Sequence, residues 1–597
     1  MKSEIKRKLG IDLRKFPNSL KTPRDKNLYN RAHSHLRKLH QQANEKRKAE
    51  KIARLNPDDG SVWKQARWCT GDKFHRPPLI TSTKIVFTNQ EKAEAMADSL
   101  EKQFQLNEFA AAEAEALVLR RLNKFFKRHP TDKIEPCKPS EIVQIISKLK
   151  KGKSPGIDGF TNLLLKRLPI KSIFRLVEII NAILKFHHFP KAWKTAIVVP
   201  VIKPGKNAQD PVSYRPISLR SSLSKLAGAV ILTRLQEATE SHMIPYQFGF
   251  RKQLSTVQQL LRITESIREG FESGWETGAV FLDIAKAFDR VWTDGLIYKL
   301  LTMRIPGSII MLIATYLQGS LFTVRVGSNL SSERVIRAGV VQGSKVGPIN
   351  IFVNDIPSPR NCQTQLCLFA DDTAVMSTGT AQTIMEDLNT YLTQLGKWLI
   401  QWKIKVNTDK CQAVYFTRRR SYPNPPMLYR RPIPWSNSTK YLGVTLDKKL
   451  TYKDHIENIR NKYNGVKAHL YPLMGRKAKL SLRYKLLLYK ALLRSVISYA
   501  SPVWGAAAKT HIQKLETLQN STLRMITDAP WFIRNKNIPH DLKVPTIKDF
   551  FSKLAINFLN QIDNHTNPAV RSIPTYDPTI PRKKRRPRTL LLQDNSR

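Results

Sequence analysis

Acidic residues are scarce in this chain. Its 597 residues hold 47 Asp and Glu against 100 Lys and Arg, a net charge of +53. An imbalance of that size points to a polyanionic partner, nucleic acid above all. Hydrophobic residues still make up 41% of the chain, which excludes a basic disordered tail. Cysteine is thin as well: Cys69, Cys137, Cys362, Cys367 and Cys411 form no CxxC pair and no Cys/His array of zinc spacing. That removes a zinc knuckle and a disulfide framework, and fits a reducing, intracellular compartment. No run of about 18 apolar residues offers a membrane span. The opening "MKSEIKRKLG" lacks the apolar core of a signal peptide. There is no internal repeat and no GxxxxGK[ST] loop of a nucleotide hydrolase. On composition alone, a ribosomal-type or chromatin protein that coats phosphate stays open.

What is present has an order. The chain is too long for one core, so several lobes are expected. Residues 1–80 are basic and polar, and "LYNRAHSHLRKLHQQANEKRKAEKIARL" reads as a helix with its cations all round, an arm lying along nucleic acid or solvent. "PDDG" (57–60) breaks it and "WKQARW" begins a packed unit. One long helix is expected near 89–128, then a linker through "HPTDKIEPCKPSE", then a helix opening at Ser140 as N-cap. Between 140 and about 455, helices alternate with β-rich runs: "AIVVPVI", "GAVFLDI", "FTVRVG", "LCLFA", "TAVMST", "QAVYFT" and "YLGVTLD". That pattern is α+β. From 455 onward, apolar residues fall at helical spacing. Trp193, Trp398 and Trp402 read as core. The tail "PRKKRRPR" (581–588) reads equally as a nuclear-import or phosphate-binding cluster and as a solvated end.

The chemistry gathers in "LCLFADDTAVMS" (366–377), where Asp371 and Asp372 interrupt an apolar run. Adjacent buried carboxylates repel and need a cation. Asp283, at the end of "AVFLDI", is the third acid expected to converge on them. Two Mg²⁺ ions about 4 Å apart would neutralise such a set and serve phosphoryl transfer.

Five motifs in order, "FLDIAKAFD", "GVVQGSKVGP", "FADDTA", "NTDKCQAVYF" and "YLGVTLD", resemble the palm of reverse transcriptases. They are most similar to those of non-LTR, LINE-type retrotransposons of the jockey-like clade. "KGKSPGIDGF" and "VIKPGKNAQDPVSYRPISL" resemble that family's fingers, and "YKALLRSVISYASPVWG" its thumb. The resemblance implies an α+β right-hand polymerase. Its parts would be a basic helical, template-binding region at 1–138, fingers at 139–265, a palm with an antiparallel sheet at 266–455, a helical thumb at 456–560 and a basic tail at 561–597.

Carried over residue by residue, it makes Asp283, Asp371 and Asp372 the metal-binding and catalytic acids. Lys410 becomes the acid that protonates pyrophosphate. Lys203 and Arg215 fall to the triphosphate. Phe288 meets the sugar where a 2′-hydroxyl would stand. Gln342 and Gly343 lie against the templating base and incoming nucleotide. Lys153 and Gly156 go to the template, and Leu442 and Gly443 to the primer. Asp289 reads as structural, orienting its helix or pairing with Arg290. The sequence departs from the family's commoner "GVPQGSVLGP" at Val341 and at Lys345-Val346.

The implied cofactor is Mg²⁺, two ions, with Mn²⁺ as substitute. Implied partners are a template RNA, a primer or target DNA and dNTPs, with an element-encoded RNA-binding protein admitted and no membrane. The implied place is nuclear, after cytoplasmic ribonucleoprotein assembly. No apurinic-type endonuclease pattern precedes the fingers, so a polymerase lacking that nuclease is expected, and a copy that binds RNA without catalysis stays open. A group II intron-type maturase shares the palm but would add a splicing-associated domain.

Overall fold

In the computed structural model, the described residues are 23–71, 77–82, 84–128, 130–340, 349–577, 579 and 586–591. They fall into two compact units. One comprises Met1–Lys73, Ile456–Ser501 and Lys509–Phe551; the other comprises Phe74–His455, Pro502–Ala508 and Ser552–Arg597. Among the described residues no helix is long and apolar enough to cross a membrane.

The first unit is helical. Pro23–Ala53 forms a 31-residue helix, and Ser61–Thr70 follows the expected break. Its later helices lock through buried tyrosines: Tyr463 meets the Thr522 hydroxyl at 2.7 Å, and Tyr489 donates to Gln519. Residues Tyr489–Leu493 widen into a π turn between two α segments.

Among the described residues, the longer strands of the second unit are β1 (Thr195–Ile202), β2 (Tyr214–Leu219), β3 (Glu276–Leu282), β4 (Leu321–Val326), β5 (Thr364–Phe369), β6 (Asp372–Gly379), β7 (Gln412–Phe416), β8 (Ser438–Tyr441) and β9 (Val444–Asp447). One sheet runs β2-β1-β4, with β1 parallel to β4 and two short strands added to β4. The other runs β7-β3-β6-β5, all antiparallel. β3 is buried along its whole length, as a central strand covered on both faces must be. Gly278 within it lets helix Ala381–Gln401 close in, since a Cβ there would lie 2.6 Å from Ile384. Glu276, buried at the start of β3, is satisfied by the hydroxyls of Tyr415 and Thr417. A large core from Val118 to Ile433 joins this sheet to its helices, and Trp398 and Trp402 are buried in it.

Several expectations need correction. The helix expected at 89–128 is two, Asn89–Gln103 and Ala112–Phe126. Phe104 turns inward at the break, packing on Phe322, and Asn107 donates to the Lys403 carbonyl. The next helix begins at Pro139 with Lys138 as N-cap, not at Ser140, because proline suits the first helical position. "YLGVTLD" is not one strand: Leu442 (φ 44) and Gly443 (φ 83) form the turn joining β8 to β9. The tail is docked where it is described. Arg586 is buried against Glu265 and Glu272 over the Tyr576 ring, and Arg588 pairs with Asp563. Pro581–Arg585 lie outside the described residues.

Candidate functional site

Register brings the acids together. Leu282 pairs with Thr373 across β3 and β6, so one step further Asp283 faces Asp372. Asp371 sits in the turn between β5 and β6, just after Ala370. Ala370 has φ 58, a left-handed value that costs a non-glycine residue about 1–2 kcal/mol. Neighbours hold it there. The buried Gln247 accepts from the Ala370 N–H at 2.9 Å and donates to the Ala370 carbonyl at 3.4 Å. Gly249 presses on the same residue, where a Cβ would come within 2.2 Å of Ala370 N, and Asn350 donates to the Gly249 carbonyl. Sequence reasoning missed this clamp; "YQFGFR" was its signal.

The carboxylates feel one another. Burial raises the Asp371 pKa and the charge of Asp283 adds to it. Asp372 is pushed up to about 6, by desolvation first and then by Asp371 and Asp283. Asp283 and Asp371 line a cleft of about 1420 Å³, whereas Asp372 stands outside that lining. Among the described residues no three His, Cys, Asp or Glu are gathered tightly enough to hold a metal by themselves. The pair nevertheless fits a hard cation such as Mg²⁺, which keeps several waters and takes one or two carboxylates together with substrate phosphates.

Cations line the same cleft: Lys203, Arg215, Lys286 and Lys410. Lys410 arrives because the chain beyond β3 stays paired with residues 405–407, Ala285 N–H donating to Lys405 and Asn407 N–H to Asp283. Its Nζ stands 3.4 Å from Asp283 Oδ2, and both side chains are about half exposed. Such a pair adds little stability and opens easily. Lys203 follows β1 and donates to the Val212 carbonyl at 3.0 Å. Burial lowers its pKa, helped by the charges of Arg215 and Lys410. Arg215 stands on the exposed face of β2, opposite Val201.

Phe288 lines the cleft edge-to-face with Phe250, centroids 6.0 Å apart. Phe250 was also missed; it is 64% exposed at φ 55. Asp289 is buried and accepts from Gln103 at 2.7 Å, while Arg290 turns to Asn107. Burial holds the Asp289 carboxyl at about 6.

Lys153, Gly156, Leu442 and Gly443 are not among the residues that line this cleft. Lys153 is exposed, and its charge helps lower the Lys225 pKa after burial. Gly156 abuts the start of helix Ser222–Thr239, where a Cβ would come within 2.4 Å of Ser221 N. Leu442 and Gly443 form the β8–β9 tip. Gln342, Gly343, Val341, Lys345 and Val346 lie outside the described residues.

Residues 202–446 match the reverse transcriptase (RNA-dependent DNA polymerase) family model. The chain is similar to the probable RNA-directed DNA polymerase from transposon X-element of Drosophila melanogaster, 33% identical over 95% of this chain and 64% of that protein. It is likewise similar to that from transposon BS of the same fly, 35% identical over 91% of this chain and 62% of that one. A third relative is the RNA-directed DNA polymerase from mobile element jockey of Drosophila funebris, 36% identical over 81% of this chain and 54% of that one. The chain thus spans between half and two thirds of the length of each of these three relatives. Among solved structures, the apo telomerase of Candida tropicalis is similar over 64% of each chain at 9% identity and a TM-score of 0.34.

Proposed function

We propose, from the match of residues 202–446 to the reverse transcriptase (RNA-dependent DNA polymerase) family model, that this chain is a member of that family and extends a DNA 3′-hydroxyl along an RNA template with dNTPs. The observation that carries this reading is the register that sets Asp283 beside the clamped Asp371 turn, in a cleft rimmed by lysine and arginine. Asp283 and Asp371 would hold the divalent cations, Mg²⁺ or Mn²⁺, with Asp372 completing the charge around them. When bound, those ions stabilise the charge that builds on the phosphate oxygens as the primer oxygen attacks.

The chain's own side chains do the rest. Arg215 offers a planar fork and Lys203 a point charge to the triphosphate. Phe288 packs under the sugar, where a 2′-hydroxyl would collide with its ring. Lys410, released from its exposed pair with Asp283, donates a proton to departing pyrophosphate. Gln342 and Gly343 would meet the templating base, Lys153 and Gly156 the template strand, and Leu442 and Gly443 the primer. In this reading residues 139–265 act as fingers, 266–455 as palm and 456–560 as thumb of a right hand, and the basic region before residue 139 holds template. The template would be the element's own transcript, copied at a nuclear DNA end. Nothing observed favours a non-catalytic copy.

The test is primer extension on poly(rA)/oligo(dT) with Mg²⁺ and dTTP, beside Asp371→Asn. Synthesis by the parent alone, with RNA affinity equal in both, is the expected result. A folded, RNA-binding parent that does not extend would refute it, and equal loss of RNA affinity in Asp371→Asn would remove that residue from the metal site.

A further inference from the structure

In the first unit, helix Lys509–Thr527 ends at Asp528, whose φ is 55, and residues 529–536 loop across to helix Asn537–Asp541. The tip of this loop holds Trp531, 90% exposed, and Phe532, 68% exposed. Their rings stand edge to face, centroids 6.1 Å apart. Trp531 is the most exposed of the large hydrophobic side chains in the described residues.

The loop that carries them is clamped. Arg524, in the last turn of the helix, donates to the carbonyls of Pro530 and Ile533 and to Asn535 Oδ1 at 2.9 Å. Ile533 N–H closes back on Pro530 at 3.2 Å. A guanidinium that fixes three acceptors of one loop holds the rings out in a set position, so a ligand meets them with little ordering left to do. The surroundings are cationic. Arg534 and Lys536 are exposed on the same loop. Asp528, at the start of the loop, is taken by Arg476 at 3.4 Å. Residues 456–501 and 509–551 together carry 17 Lys and Arg against 5 Asp and Glu.

Flat rings beside uncompensated cations match a ligand with π faces and a phosphate backbone. Duplex hides its faces in the stack, so the match is to a single strand. We propose that Trp531 and Phe532 form a stacking platform for unpaired bases of the template RNA, with Arg534 and Lys536 on the flanking phosphates. The choice of RNA rests on the polymerase reading above, because the template ahead of the primed duplex is the strand left unpaired during copying.

The test measures binding alone, by fluorescence anisotropy of the full chain without dNTPs, so it gives an answer whether or not the chain extends primers. The probes are labelled oligo(rA), an abasic strand of the same length, and oligo(dA). Trp531→Ala with Phe532→Ala should weaken oligo(rA) about 10–100-fold and leave the abasic strand and the salt slope unchanged. Trp531→Phe, which keeps a ring, should retain most of the affinity. Both side chains are exposed, so the unfolding midpoint should not move. Equal loss on the abasic strand, or no loss on oligo(rA), would overturn the platform. A loss confined to oligo(dA), or seen with anionic vesicles instead of RNA, would overturn the partner.

Discussion

Gln247 grips Ala370 from both sides, its Oε1 taking the amide proton at 2.9 Å and its Nε2 reaching the carbonyl at 3.4 Å. The two residues are 123 positions apart. The grip keeps Ala370 left-handed and thereby sets where Asp371 leaves the hairpin. Gln247→Ala should lower stability by about 1–3 kcal/mol, the cost of leaving buried backbone groups unpaired. It should also cut primer extension at least tenfold at unchanged RNA affinity. Urea midpoints and single-turnover rates check this; a variant that is destabilised yet extends at the parental rate would show that something else orients the turn.

Phe288 should govern the choice of sugar. With Phe288→Ala the ring that would collide with a 2′-hydroxyl is gone, and the preference for dTTP over UTP on poly(rA) should shrink about tenfold or more. The ratio of kcat/KM for the two nucleotides is the measurement. An unchanged ratio would return Phe288 to simple packing against Phe250.

Arg586 should matter to stability out of proportion to its place near the C-terminus. Its guanidinium meets Glu265 at 2.6 Å and Glu272 at 2.9 Å, with Arg586 and Glu265 3% and 2% exposed. Arg586→Ala strands a buried carboxylate and should cost about 3–5 kcal/mol. Arg586→Met combined with Glu265→Leu should recover much of that, since an apolar pair needs no counter-charge. Chemical denaturation of the three proteins decides it; a mild Arg586→Ala would mean the tail is not docked in solution.

Acid should loosen the second unit through His455. The ring is buried at the start of helix Lys453–Met474, its Nδ1 accepts from Thr445 N–H at 3.3 Å, and its edge meets Trp504. Burial, helped by the Lys440 charge, lowers its pKa from 6.5 to about 4. Between those values the unfolded chain binds a proton that the folded chain refuses. Stability is therefore full above pH 6.5 and falls as pH drops toward 4, by up to about 3 kcal/mol. His455→Gln should flatten that window. Urea midpoints at pH 7 and pH 4.5 test it, and parallel curves for the two proteins would count against it.

The strands were legible because β-branched and aromatic runs bounded by turn residues admit little else, and β1, β3, β4, β5, β6 and β7 each fall within a residue or two of their runs. The pairing of Asp283 with the Asp371-Asp372 turn was legible too, as an acid ending one strand and two acids between others. What escaped was set by distant contacts. Periodicity carries through 104–111, and only the burial of Phe104 and the reach of Asn107 to Lys403 show why the helix must stop. Gln247 looked like any polar residue, since its partner lies 123 positions away. Arg586 looked like one cation among many, because charge counts are blind to a single buried acid on another helix.

That last contact has a temporal side. Glu265 precedes Arg586 by 321 residues, a stretch that takes a ribosome roughly 15–60 s at about 5–20 residues per second. For that interval Glu265 has only the charge of Arg268, on its own helix, to offset it. The same helix reaches across to β5, Gln259 and Arg262 donating to the Leu368 and Leu366 carbonyls. The unit that bears the acidic cleft is therefore sealed only once the segment carrying Arg586 has been made, long after the helix that holds Glu265.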